Sequence, residues 1–308
     1  MAVVAAGSLA VAALAVAATI NGTNGDDQLT GTPKRDRISA RDGDDVVRAL
    51  AGPDRVFGGD GNDTLNGGRG RDRVRGGNGS DTIRGGGGRR GRRADRLFGN
   101  AGGDHVFGGP GWDFLAGNAG DDDLHGGRGC DREYGGPGDD TVRGGGGHRA
   151  HHRFCDRLHG GDGEDTVTGG RGRDRMSGGK GNDTQNGGPG ADLIFANLGV
   201  DKDSGGDGND NLWALAKGDV TMLGDPIGDT LDGGKGNDRF HTRDGEVDRI
   251  TCGDGFDRVR ADQFDVITDA SSSDATGSCE RVDRKDASTE SDSPENATQS
   301  PPADGKQS

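Results

Sequence analysis

The chain has little of what an ordinary globular core is made from. Only 28% of its 308 residues are hydrophobic and 4% aromatic, which excludes a large conventional core even though the length could hold a full catalytic domain. Basic residues are outnumbered, 38 Lys and Arg against 53 Asp and Glu. The resulting net charge of −15 argues against nucleic acid or an anionic membrane as the main partner and in favour of a cation. No His-Glu-x-x-His zinc-protease helix and no Gly-x-Ser-x-Gly nucleophile elbow occurs, so the signatures of secreted proteases and lipases are missing and a non-catalytic role is expected. Gly-x-Gly-x-x-Gly strings do occur, but no β-α-β unit surrounds them, which excludes dinucleotide binding. The long apolar run is confined to 1–18, where Ala15-Val16-Ala17 offers the small-x-small pattern of a cleaved export signal without a basic start. A signal peptide over 1–18 is therefore expected, and no integral membrane span in the mature chain.

Glycine is present in excess, 65 residues, and it is periodic. Residues 58–84 are three unbroken copies of a nonapeptide, Gly-Gly-x-Gly-x-Asp-x-U-x, where U is apolar. The frame begins in worn form at Gly22, with Asp27 and Leu29, Asp36 and Ile38, Asp45 and Val47, and Asp54 and Val56, before the clean copies carrying Asp63, Asp72 and Asp81. It continues through Asp95, Asp104, Asp113, Asp122, Asp131, Asp140, Asp156, Asp165, Asp174, Asp183, Asp192, Asp201 and Asp210. Insertions at 89–93 and 148–154 fall between the fourth and fifth positions of a repeat, as loops on a solenoid turn would. A slip of one residue is read near Leu223, after which Asp229 and Asp238 restore the pattern. Beyond His241 an Asp-x-apolar rhythm persists with fewer glycines.

This consensus resembles the hemolysin-type RTX repeat, a calcium-binding unit. The resemblance implies an all-β fold, a parallel β-roll in which copy n stacks on copy n+2 and each x-U-x is a short strand with one side chain inside. It also implies several Ca²⁺ ions between stacked turns, held by sixth-position carboxylates and glycine-loop carbonyls. The implied ligands are Asp27, Asp45, Asp54 and each later sixth-position aspartate through Asp238, with Gly58, Gly61, Gly67, Gly70, Gly76 and Gly79 from the clean turns. Carboxylates stacked roughly 4.8 Å apart repel. A hard cation that accepts many flexible protein oxygens relieves that repulsion, which favours Ca²⁺ over Mg²⁺.

The expected organisation is a signal peptide at 1–18, the roll at 19–241, a disulfide-stapled capping region at 242–283 and a disordered acidic tail at 284–308. In such a roll Cys130 and Cys155 lie in copies n and n+2, which implies a bridge between them, and Cys252 with Cys279 would staple the cap, although four cysteines allow three pairings. Glu133, Gln185 and Asp203 occupy eighth positions that should be apolar, so those turns are expected to be soft. His148, His151 and His152 could bind a transition metal, and Arg89, Arg90, Arg92 and Arg93 a polyanion. A solvated loop is the simpler reading of both. Secretion is expected, with Ca²⁺ as partner. Cell-surface glycans and self-association remain open as further partners, as do an adhesin or surface-layer role and the repeat portion of a secreted hydrolase or cytolysin.

Overall fold

The computed structural model describes residues 8–10, 17–87, 94–147, 155–214, 228–268 and 278–285. Every regular element among them is a β-strand of two to seven residues, and these strands pair in parallel. The chain divides into two units, Met1–His148 and Arg149–Ser308, and each is a parallel β-solenoid with two sheets. Successive strands alternate between the sheets, so a strand pairs with the next but one. In the first unit Thr64–Gly68 and Thr82–Gly86 pair with Leu65 opposite Ile83, a register of 18 residues or two repeats.

Strands form here because the apolar eighth residue is flanked by two residues that point the other way, the period-2 pattern of a half-buried strand. Strand Arg55–Asp60 shows it, with Val56 and Gly58 buried between exposed or half-buried neighbours. Stacked eighth positions give each unit its interior. Ile38, Val56, Val74, Leu97 and Leu115 line one sheet of the first unit, and Leu29, Val47, Leu65, Ile83, Val106 and Leu124 the other. In the second unit Ile194, Leu212, Leu231, Phe240, Ile250 and Val259 play the same part.

Turns are set by the second glycine of each repeat, which takes positive φ, as at Gly59 (φ 138°) and Gly77 (φ 141°). Where that glycine is replaced, asparagine takes the same left-handed conformation at Asn100, Asn118 and Asn197, the substitution that costs least. Arg41 and Leu50 do so without that advantage.

One expectation about register is corrected. The slip near Leu223 is not one residue. The amide of Asp201 donates to Asp229 Oδ1 and that of Asp210 to Asp238 Oδ1, each across 28 residues instead of 18, and Lys202 lies opposite Thr230. Asp229 therefore belongs to the copy directly after Asp210, which carries ten extra residues, and the 19-residue gap that imitates two repeats plus one is one repeat plus an insertion. After His241, strands of the Asp-x-apolar rhythm extend the stack. Arg249–Thr251, Arg258–Ala261, Val266–Ile267 and Arg281–Arg284 continue the parallel ladder. Cys252 and Cys279 are bridged there, with Cα atoms 5.3 Å apart and both side chains in the core. Cys130 and Cys155 are also disulfide-bonded, and no cysteine is free.

At the N-terminus, Ser8–Ala10 pairs with Gln28–Thr30, and the rest of the expected signal, apart from Ala17 and Ala18, lies outside the described residues. So do the insertions at 89–93 and 148–154, with the arginine and histidine groups they carry, and 286–308 of the tail.

The three polar eighth positions are inside, as their place in the frame requires: Glu133, Gln185 and Asp203 are all buried. Gln185 faces Asp203 across paired strands and donates from Nε2 to the Phe195 carbonyl at 2.7 Å. Burial, and then the nearby Asp201 carboxylate, push the Asp203 carboxyl well above its ordinary range. A buried ionisable group in an apolar column weakens its turn. Replacing both residues by apolar ones (Gln185→Leu with Asp203→Val) is expected to raise stability by about 1–3 kcal/mol in a urea titration. Amide exchange in 184–208, expected to be less protected than in 64–86 in the parent chain, should slow in the variant.

Candidate metal centre

Sixth-position aspartates close each turn, and the structure stacks them in rows. In the first unit one row is Asp27, Asp45, Asp63, Asp81, Asp104, Asp122 and Asp140, and the other Asp36, Asp54, Asp72, Asp95, Asp113 and Asp131. Along both, each backbone N–H donates to Oδ1 of the next aspartate at 2.7–2.9 Å. In the second unit the rows are Asp156, Asp174, Asp192, Asp210, Asp238 and Asp257, closed by Glu280, and Asp165, Asp183, Asp201, Asp229, Asp248 and Asp265. One oxygen of each carboxylate is thus spent on fixing the turn below it.

The second oxygen is what remains for a ligand. In the first unit Oδ2 of Asp45, Asp54, Asp63, Asp72, Asp81, Asp104, Asp113 and Asp122 is buried and accepts no hydrogen bond. In the second the same holds for Asp174, Asp183, Asp192, Asp210, Asp238 and Asp248. A buried acceptor without a donor costs free energy, and an anionic one costs more. From Asp63 to Asp122 in the first unit these oxygens face the first glycine of their own turn, while Asp45 and Asp54 have Ala40 and Ala49 at that position. A Cβ built on Gly58 would collide with Asp63 Oδ2 and lie 2.6 Å from the Gly76 carbonyl oxygen; on Gly76 it would collide with Asp81 Oδ2 and lie 2.7 Å from the Gly99 carbonyl. Gly67 is hemmed in likewise, 2.9 Å from both Asp72 Oδ2 and the Gly85 carbonyl. In these turns carboxylate and carbonyl oxygens converge on space that the glycine leaves open. The fourth-position glycines Gly61 and Gly79 take positive φ, while Gly70 is crowded by the Gly52 carbonyl and by Asp72 Oδ1.

Electrostatics agree with the geometry. Burial is the largest influence on these carboxyls, offset in part by the amide each accepts from and, except at Asp113, Asp174 and Asp210, reinforced by neighbouring carboxylates. It raises Asp63, Asp81, Asp104, Asp122 and Asp238 to about 7, and Asp72 and Asp183 to about 8. Asp54, Asp113, Asp174 and Asp210 reach about 6, and Asp229 and Asp248 stand well above the ordinary range. Acceptor-only, hard, negatively charged oxygens held out of water form the donor set that calcium takes.

Asp27 stands apart from the other expected ligands. Thr23 donates to its Oδ2 from both backbone and hydroxyl, as Thr32 does to Asp36, so in the worn first repeats a threonine at the second position satisfies the oxygen left bare elsewhere. Asp36, Asp248, Asp257 and Asp265 belong to the rows although they were not among the expected ligands, and the Asp-x-apolar rhythm after His241 was the signal for the last three. Asp244, Glu246 and Asp248 also bring one carboxylate oxygen each within 4.8 Å of one another. A second set of contacts escaped the sequence reading: fifth-position side chains support the next amide on the surface, as Asp44 Oδ1 does for Asn62 and Asn62 Oδ1 for Ser80.

The family model of the RTX calcium-binding nonapeptide repeat matches residues 21–56, 57–90, 91–124, 98–133, 117–148, 156–185, 186–212 and 223–259, well over half of the chain. The chain belongs to that family. It is a calcium-binding repeat protein in which the RTX repeats build the roll. A comparison with curated proteins finds no match.

Proposed function

We propose that this RTX protein is an exported, non-catalytic roll that folds as it takes up Ca²⁺ outside the cell. The observation that carries the reading is the set of buried Oδ2 atoms without donors, stacked turn over turn beside glycine carbonyls. The residues that would hold the ions are Asp45, Asp54, Asp63 and the later row members through Asp238, with the carbonyls of first-position glycines such as Gly76 and Gly99. Bound calcium supplies the positive charge that lets these carboxylates stay ionised in a buried place. Two disulfides and an N-terminal apolar run suit the oxidising, calcium-rich exterior.

Isothermal titration with calcium in buffers of different ionisation enthalpy tests it. Several ions should bind with release of protons, and Asp63→Asn with Asp81→Asn should lower the stoichiometry. Full uptake by that variant, or no heat from the parent chain, would count against the reading.

The pH dependence has a definite sign. A carboxyl raised in the folded state contributes stability that is present below the ordinary value of 3.8 and is lost as pH rises through the folded value, here about 6 to 8. Acidifying the calcium-free chain from about pH 8 to about pH 5 should therefore increase its strand signal, while calcium affinity falls because protons compete for the same oxygens.

A further inference from the structure

One face of the first unit contradicts the acidic character of the chain. In the sheet that contains Arg37–Asp42, the seventh-position residues Arg37, Arg55, Arg73 and Arg96 lie directly opposite one another on successive strands. From Thr19 to Tyr134 no seventh- or ninth-position residue of this sheet is acidic, in a protein of net charge −15. Among the described residues no ion pair engages Arg35, Arg37, Arg55 or Arg96. Arg35, Arg37, Arg55, Arg71, Arg73 and Arg96 all line one groove of about 570 Å³.

Ninth-position rings stiffen this row instead of presenting their faces. The Arg37 and Arg75 guanidinium carbons lie 5.3 and 5.8 Å from the Phe57 centroid, and those of Arg73 and Arg75 lie 5.4 and 5.5 Å from that of Phe98, a ring that is itself buried. A guanidinium held over a ring in this way, as that of Arg37 is over Phe57, keeps its donor edge available for carboxylate or sulfate.

We infer that this groove binds an acidic polysaccharide, with the arginine row taking its regularly repeated carboxylate or sulfate groups. Charge spacing favours that class over nucleic acid. The row offers one cation per strand, roughly every 4.8 Å, whereas duplex DNA carries a charge about every 1.7 Å and its single strands about every 3.4 Å. The covered rings also withhold the stacking platform on which single-stranded nucleic acid relies. The inference rests on the calcium reading in one respect. Asp36, Asp54 and Asp72 also line the groove; Asp36 accepts hydrogen bonds from Ala18 and Thr32, while Asp54 and Asp72 would oppose an anion unless a cation neutralises them.

The test titrates the calcium-loaded full chain with polygalacturonate, which carries carboxylates, and with heparin, which adds sulfates. Arg37→Glu with Arg55→Glu should weaken binding at least about tenfold, and Arg37→Gln with Arg55→Gln by a smaller factor. Arg48→Glu with Arg84→Glu, the same charge change on the other sheet, should alter it by less than about threefold. Unchanged circular dichroism in calcium confirms that each variant is folded. Tighter binding of one polysaccharide tells carboxylate from sulfate recognition, and EGTA should abolish both. Three outcomes overturn the inference: no binding of either polysaccharide, equal losses in the two Glu variants, or tighter binding of a single-stranded oligonucleotide. Calcium uptake without polysaccharide binding sinks this inference alone, whereas absent calcium uptake sinks the reading beneath it.

Discussion

Adding EGTA to the purified chain is expected to remove most of its far-UV strand signal, and excess Ca²⁺ to restore it. The interior holds one apolar side chain per nonapeptide, such as Leu65, Val74 and Ile83, against the ordering of nine backbone residues, many of them glycine. Turns such as those of Asp63, Asp72 and Asp81 also bury a carboxylate whose second oxygen has no donor. At calcium concentrations about ten times the dissociation constant, every site adds roughly 1.4 kcal/mol to the folded state. Because stacked turns cooperate, as in other solenoids, the loss should be steep with falling calcium instead of gradual. A strand signal indifferent to the chelator would mean that burial and the two disulfides suffice.

The second large effect concerns a single methyl group. Gly76→Ala is expected to destabilise the calcium-loaded chain by about 1–3 kcal/mol or more and to reduce its calcium stoichiometry. The new Cβ would collide with Asp81 Oδ2 and come within 2.7 Å of the Gly99 carbonyl, the two oxygens that face the space reserved for an ion. Gly76 needs no positive φ, so backbone strain is not the cause. Gly25→Ala is the matched control, since nothing lies within 4 Å of its Cβ position; it should change the urea midpoint hardly at all. Equal effects of the two substitutions in calcium titration and denaturation would show that the first glycine serves the turn alone.

The nonapeptide frame made much of this legible. A period of nine with copies stacking on alternate copies already places Leu65 opposite Ile83 and Asp63 beside Asp81, and both hold. Insertions are where periodicity misleads. Between Asp210 and Asp229, ten added residues imitate a whole repeat with a slip, and the amides of Asp201 and Asp210 reaching Asp229 and Asp238 tell the two apart. The division of labour within each carboxylate was also hidden, because a spacing says which residues meet but not which oxygen is consumed. Thr23 at Asp27 and Thr32 at Asp36 show the consequence: the consensus residue is present, yet its second oxygen is already satisfied. The last turns were underread for a related reason. Their glycines are fewer, but Asp248, Asp257 and Asp265 keep the rows going.

Diffraction from crystals of the calcium-loaded chain, with anomalous differences collected on the long-wavelength side where calcium scatters appreciably, would locate the ions along the carboxylate rows. Peaks are expected beside Oδ2 of Asp54, Asp63, Asp72 and Asp81 and next to the carbonyls of Gly76 and Gly85, repeating at each turn, with none at Asp27. An anomalous map without density along either carboxylate row would contradict the account.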